Sequence, residues 1–271
     1  MVELNKIYNE KCSKTLKRLI GEGQKVDLIL TSPPYNTGRP SNSERSLHKH
    51  EGRYDVHLDN MTSEQYIKGI TQLFNLFDKT LEKNGVVLWN VSYGSDATVS
   101  TQGIGLVWLS VADIITNSPF TVADRIIWKK ASALPNNTSP NKLTRIVEDI
   151  FVFCRKDEYK TFNANKEVSK VGNRGQFYYK NYFNFIEAKN NDGVCPYNKA
   201  TYSSDMCRQV LSIYAKKGQT VYDCFMGSGT TAVACKQMGL NYIGSEISEN
   251  QVSFANERIA KTEVIESDKV V

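Results

Sequence analysis

Val221-Tyr222-Asp223-Cys224-Phe225-Met226-Gly227-Ser228-Gly229-Thr230-Thr231, followed after ten residues by Tyr242-Ile243-Gly244-Ser245-Glu246, is the stretch that decides the fold. A short apolar strand ends in an acid, a Gly-x-Gly turn follows, and 230–238 reads as a helix. Gly239 stops that helix before a second strand, which ends in Glu246. The glycines let a ligand come close to the backbone, and an acid ending the next strand can accept both hydroxyls of a ribose. The pattern predicts a site for a nucleoside-containing cofactor. It is not a Walker loop, because no Lys follows the glycines, but Gly227 to Ala232 does fit the dinucleotide pattern G-x-G-x-x-A.

Only 25 residues follow Glu246, and they hold a single helical pattern, with Val252, Ala255 and Ile259 on its apolar face. A dinucleotide fold needs further strands after its first βαβ unit. Here they can come only from the N-terminal part of the chain, as in a circularly permuted domain. That arrangement brings Leu28-Ile29-Leu30-Thr31-Ser32-Pro33-Pro34-Tyr35-Asn36 to the edge of the cofactor. The apolar run 26–30 enters two prolines, which fix φ and lack an N–H, so neither a helix nor an interior strand continues. The expectation is a stiff, exposed turn offering the Ser32 hydroxyl, the carbonyls of Ser32 and Pro33, and the flat face of Tyr35. Acceptors beside a stacking platform suit a flat heterocycle held by its amino group.

Thr31-Ser32-Pro33-Pro34-Tyr35 ahead of Asp223-x-Phe225-x-Gly227-x-Gly229-Thr230-Thr231 resembles the beta-class amino DNA methyltransferases, in which the catalytic motif precedes the cofactor motif. The resemblance covers nearly the whole chain; one departure is Cys224, where the family usually has Pro. It implies a doubly wound, Rossmann-like α/β sheet, circularly permuted, with S-adenosyl-L-methionine as cofactor and double-stranded DNA as partner. It places catalysis at Ser32, Pro33, Pro34 and Tyr35. Cofactor binding falls to Asp223, Phe225, Gly227, Gly229, Thr230 and Glu246, with Glu10, between Asn9 and Lys11, at the adenine pocket. The target amino group would donate to Ser32 and a backbone carbonyl, localising a lone pair that is otherwise delocalised into the ring, while Tyr35 stacks on the flipped base.

The family's first motif position is usually Ser for cytosine N4 and Asp or Asn for adenine N6. Ser32 therefore favours a DNA (cytosine-N4-)-methyltransferase of a restriction-modification system, or an orphan methylase. Adenine N6 stays open, since Asn36 after the motif is common among adenine enzymes. A hydride-transfer enzyme gives no reason for Pro-Pro-Tyr at the cofactor edge, and a non-catalytic DNA-binding module has no use for the glycine turn and Glu246. No Pro-Cys dipeptide supports a covalent carbon-5 mechanism.

The 271-residue chain fits one domain, 1–271, and its 40% hydrophobic content is enough for a sizeable core. Helical patterns at 12–20, 62–81 (stopped by Gly85), 106–115 and 204–214 alternate with apolar strands at 6–8, 26–30, 86–91, 121–128 and around Phe151-Val152-Phe153, which argues for an α/β sheet. From Lys129 to Lys189 there are twelve Lys or Arg against six Asp or Glu. That local +6, out of a net +5, leaves the rest of the chain near −1. Phe177, Tyr178, Tyr179, Tyr182 and Phe183 lie among those cations, which suits basic groups on phosphates and aromatics on bases, and the resemblance implies an inserted target-recognition segment at 131–195. The same aromatics would also serve as a small core for an insert. His48-x-His50 has no Cys or acid at ligand spacing, so no metal is expected, and 37–60 reads as a mobile loop over the site. Six scattered cysteines without C-x-x-C spacing, no signal-peptide pattern and no long apolar run predict a cytoplasmic protein with no membrane partner, and the resemblance implies a monomer or homodimer in a prokaryotic or phage-infected cell.

Overall fold

The structure, a computed structural model, describes residues 1–36, 61–92, 105–133, 135–137, 140–141, 143–193, 195–198 and 200–265. The expected loop at 37–60, with its three histidines, lies outside the described residues. The first half of the chain runs β1 (Lys6–Asn9), α1 (Cys12–Gly21), β2 (Val26–Thr31), α2 (Ser63–Thr80), β3 (Leu81–Val91), α3 (Gly105–Asn117), β4 (Phe120–Lys130) and β5 (Val147–Arg155). The second half adds β6 (Val168–Val171), β7 (Phe177–Tyr179), β8 (Phe185–Ala188), α4 (Ser204–Tyr214), β9 (Thr220–Asp223), α5 (Thr230–Gln237), β10 (Asn241–Glu246) and α6 (Glu249–Ala260).

Eight strands form one sheet in the order β1-β10-β9-β2-β3-β5-β4-β8, in which β5 alone runs against its neighbours. Alternate residues of the central strands point to opposite faces. Ile29, Val87, Trp89, Phe151 and Phe153 pack with Leu16 and Leu19 of α1, Phe74 and Phe77 of α2, and Val111 and Ile114 of α3. Leu28, Leu30, Val86, Leu88, Ile150 and Val152 pack with Met206 and Val210 of α4, Val233 of α5, and Ala255 and Ile259 of α6. The result is a three-layer α/β domain, as the alternation of elements requires. Its C-terminal β9-α5-β10 unit is flanked by N-terminal strands on both sides, β1 against β10 and β2 against β9. Winding proceeds outward from β9 in one direction and from β2 in the other. Their carboxyl ends therefore meet at the topological switch point, where open α/β sheets bind ligands.

Two expectations need correcting. The helix begun at Thr62, whose side chain makes a capping box with Gln65, ends at Thr80 rather than at Gly85. Gly85 already lies in β3, where a Cβ would come 2.7 Å from the Asp27 carbonyl; close backbone approach, not helix termination, requires glycine there. The range 131–195 also does not stand apart from the sheet as one insert. It contains β5, paired to both β3 and β4, and β8 on the sheet edge. What leaves the sheet is the antiparallel pair β6–β7, whose residues are all exposed, with Phe177, Tyr178 and Tyr179 at 59, 44 and 49%. These three rings are not a small core. Phe162, beyond β5, is partly buried and packs against the main core. All six cysteines are free thiols, and among the described residues no helix is long and apolar enough to cross a membrane.

Candidate active site

The site begins with the acid that ends β9. Asp223 is 0% exposed and accepts four hydrogen bonds: from Thr31 Oγ1 (2.6 Å), Thr231 Oγ1 (2.6 Å), the Phe225 N–H (3.0 Å) and Tyr202 Oη (3.0 Å). It ties the end of β2, the start of α5 and the glycine turn to one point. Burial pushes its carboxyl above the ordinary value, against the pull of those donors. The turn itself needs glycine twice. Gly227 has φ +53° and Gly229 φ +81°, and a Cβ on Gly229 would lie 2.7 Å from the Cβ of Ala255 on α6. Arg258 of α6 locks the turn from behind, donating to the Ser228 carbonyl at 2.8 Å and to Asp192 Oδ2 at 2.8 Å.

Glu246, ending β10, accepts from the Gly227 N–H at 2.8 Å and from the Ser248 N–H at 2.9 Å, one bond per carboxylate oxygen. Each oxygen keeps acceptor capacity for a ligand. Burial holds this carboxyl, too, above its ordinary value. Glu10, following β1, accepts from Thr15 at 2.8 Å and pairs with Arg18 and Lys14. Burial raises its carboxyl, but Thr15, Lys14 and the neighbouring positive charges outweigh it and leave the group below its usual range.

These groups surround a cleft of about 330 Å³. Of the expected site residues, Glu10, Ser32, Pro34, Phe225, Gly227, Thr230 and Glu246 line it. Asp223, Gly229, Pro33 and Tyr35 do not. Asp223 and Gly229 shape the turn from beneath rather than face a ligand. The Pro-Pro-Tyr turn is not the exposed platform its prolines suggested, for Tyr35 is only 7% exposed. Its hydroxyl lies 2.7 Å from Ser32 Oγ, 3.2 Å from Asn90 Oδ1 and 3.3 Å from Glu148 Oε2, while Tyr66 Oη donates to the Pro34 carbonyl at 3.0 Å. Asn36, with φ +53°, exchanges two 2.8 Å bonds with the backbone of Met61 and so ties the end of the Pro-Pro-Tyr turn to the start of α2. Cys224 lines the cleft, as a small apolar residue can.

Several contributors carried no local signal. Asn198 and Gln251, joined at 2.9 Å, close one wall. Asn90, Glu148 and Lys130 stand behind Ser32 and Tyr35. A polar residue inside an apolar strand run, as in Trp89-Asn90-Val91, is the one clue the sequence offered. Among the described residues no cluster of His, Cys, Asp or Glu could hold a metal.

A nucleoside-bearing ligand fits this geometry: an acid with spare acceptor capacity, a side-chain-free turn and an apolar wall converge on one cleft at the switch point. The N6/N4 family model described as DNA methylase matches residues 26–257. The chain belongs to this family. It is 26% identical over 270 residues to the type II methyltransferase M.BglII of Bacillus subtilis, covering 93% of this chain and 68% of that protein. The fold is similar to the PvuII DNA methyltransferase, described as cytosine-N4-specific, with a TM-score of 0.68, 16% identity and coverage of 100% and 91% of the two chains. It also resembles the M1.HpyAVI complex with SAM, with a TM-score of 0.63, 20% identity and coverage of 94% and 98%. The chain is thus a DNA amino-methyltransferase, built as the mixed eight-stranded α/β sheet of that family.

Proposed function

We propose that this DNA methylase transfers a methyl group to the exocyclic N4 of cytosine in double-stranded DNA, as the modification enzyme of a type II restriction-modification system. The observation that carries the reading is Ser32, on the cleft wall at the switch point and directly behind the buried end of β2. S-adenosyl-L-methionine, the methyl donor, supplies an activated sulfonium methyl. Glu246 would take the ribose hydroxyls, Gly227 and Phe225 the body of the nucleoside, and Glu10 and Thr230 the flanks of the cleft.

Ser32 then acts on the acceptor. An amino nitrogen conjugated to a ring is a poor nucleophile; accepting one of its protons on Ser32 Oγ draws the nitrogen toward tetrahedral geometry and localises its lone pair. Positioning supplies most of the rate when the donor is already activated. The target atom is inside a duplex, so the base must be flipped into the cleft. With Tyr35 buried, Pro34 is the ring of the turn that faces it. Asn36 is spent on Met61, so its presence after the motif does not argue for adenine. The exposed β6–β7 hairpin, with Lys170 4.8 Å above the Tyr178 ring and Lys166 6.0 Å above that of Tyr179, is the proposed DNA-facing surface.

Digesting methylated DNA to nucleosides and separating them by mass spectrometry tests the base. N4-methylcytosine is expected, and N6-methyladenine as the sole product would overturn the assignment.

A further inference from the structure

The Ser32 hydroxyl can donate to Tyr35 or accept from it, and the groups behind Tyr35 decide which. Glu148, on β5, is buried, and its Oε1 is held by the Lys130 ammonium. Its Oε2 faces Tyr35 Oη at 3.3 Å. The amide nitrogen of Asn90 donates to the Asp149 carbonyl, so its oxygen is what Tyr35 meets at 3.2 Å. A carboxylate and an amide oxygen only accept. With the single phenolic proton on Glu148 or Asn90, the 2.7 Å contact between Ser32 and Tyr35 is made with Ser32 as donor. Ser32's own proton is turned away from the cleft and its lone pairs are left toward it. A site so polarised takes a ligand N–H and rejects a bare ring nitrogen.

We propose that Glu148 is the terminal acceptor of a Ser32–Tyr35 hydroxyl chain. It is a positioning residue that fixes Ser32 as an acceptor and receives the proton that methylation releases. The inference rests on the reading of Ser32 given above. The balance is complete with groups already in place. As the N–C bond forms and the methyl's bond to the sulfonium sulfur breaks, its electron pair staying on sulfur as a neutral thioether, one amino proton passes to Ser32 Oγ, the Ser32 proton passes to Tyr35 Oη, and the Tyr35 proton passes to Glu148 Oε2. Ser32 and Tyr35 end as they began, with Glu148 carrying the proton. Asn90 accepts a hydrogen bond but is no base. Glu148 is thus where the chain can end, and Lys130, partly exposed, links it to solvent.

The test compares Glu148→Gln, Tyr35→Phe and Ser32→Ala in single turnovers with tritium-labelled S-adenosylmethionine and unmodified genomic DNA. Glutamine keeps the shape and removes the base. Turnover should fall about 10²-fold, within the range of general base catalysis, while cofactor affinity and the KM for DNA stay within twofold. The solvent deuterium effect of the parent should vanish in the same variant. Tyr35→Phe interrupts the chain without touching the Lys130–Glu148 pair and should lose turnover alike, which covers the case of Glu148→Gln failing to fold. Parent rates in either variant beside an inactive Ser32→Ala would overturn the chain and leave the reading of Ser32 standing. A fully active Ser32→Ala would remove that reading itself.

Discussion

The junction of β9 with β2 and the β6–β7 hairpin obey opposite rules. At the junction a fully buried carboxylate has four donors, two glycines hold positive φ, and an arginine from α6 fixes the turn from outside. At the hairpin every residue of both strands is exposed, and the ammonium groups of Lys170 and Lys166 lie over the Tyr178 and Tyr179 rings. Buried polar groups are costly unless all are paired, so pairing them fixes one geometry. An exposed hairpin carries no such constraint, and its side chains can change without disturbing the sheet. The difference suits fixed geometry to the first region and the proposed DNA-facing surface to the second.

The contrast breaks most readily at Gly229. Gly229→Ala forces a Cβ against Ala255 in a left-handed backbone and should cost on the order of 2–5 kcal/mol, read as a lower denaturation midpoint. A midpoint equal to the parent's would mean that the junction is as forgiving as the hairpin.

Glu246→Gln comes next. Exchanging charge-assisted bonds for neutral ones should weaken cofactor binding by about 1–2.5 kcal/mol, roughly five- to seventyfold, in calorimetry. The pH dependence has a definite sign. The folded parent holds the Glu246 proton to a pH above the ordinary 4.5, where the unfolded chain has already released it. This group's contribution to stability is therefore present below the unfolded value and is lost as pH rises through the folded one. Thermal stability of Glu246→Gln should gain on the parent across that window and level off above it. Parent affinity for cofactor should rise over the same window as the carboxylate forms. A difference independent of pH would show that Glu246 titrates as an ordinary surface acid.

The smallest effect is expected at the hairpin. Lys170→Ala should leave stability within about 0.5 kcal/mol, as for surface substitutions generally. It should also flatten the log–log salt dependence of DNA binding by about 0.9, one phosphate contact. An unchanged slope would take Lys170 off the DNA surface.

The sequence by itself determined the βαβ cofactor unit, its permuted completion by N-terminal strands, and the places of Ser32, Gly227 and Glu246. Each is written in a local signal: an acid or hydroxyl closing an apolar strand, a glycine where φ turns positive, apolar strand runs at 6–8 and 26–30. Only the tertiary structure decided that Asp223 serves the turn rather than the ligand, and that Tyr35 lies buried. Those facts depend on Thr31, Tyr202, Asn90 and Glu148, brought in from strands and loops up to 192 residues away. The same holds for 131–195, where composition averaged a buried sheet strand with an exposed hairpin. Charge and aromatic content report what a segment contains, whereas the pairing of β5 with β3 and β4 is a long-range register that no local pattern encodes.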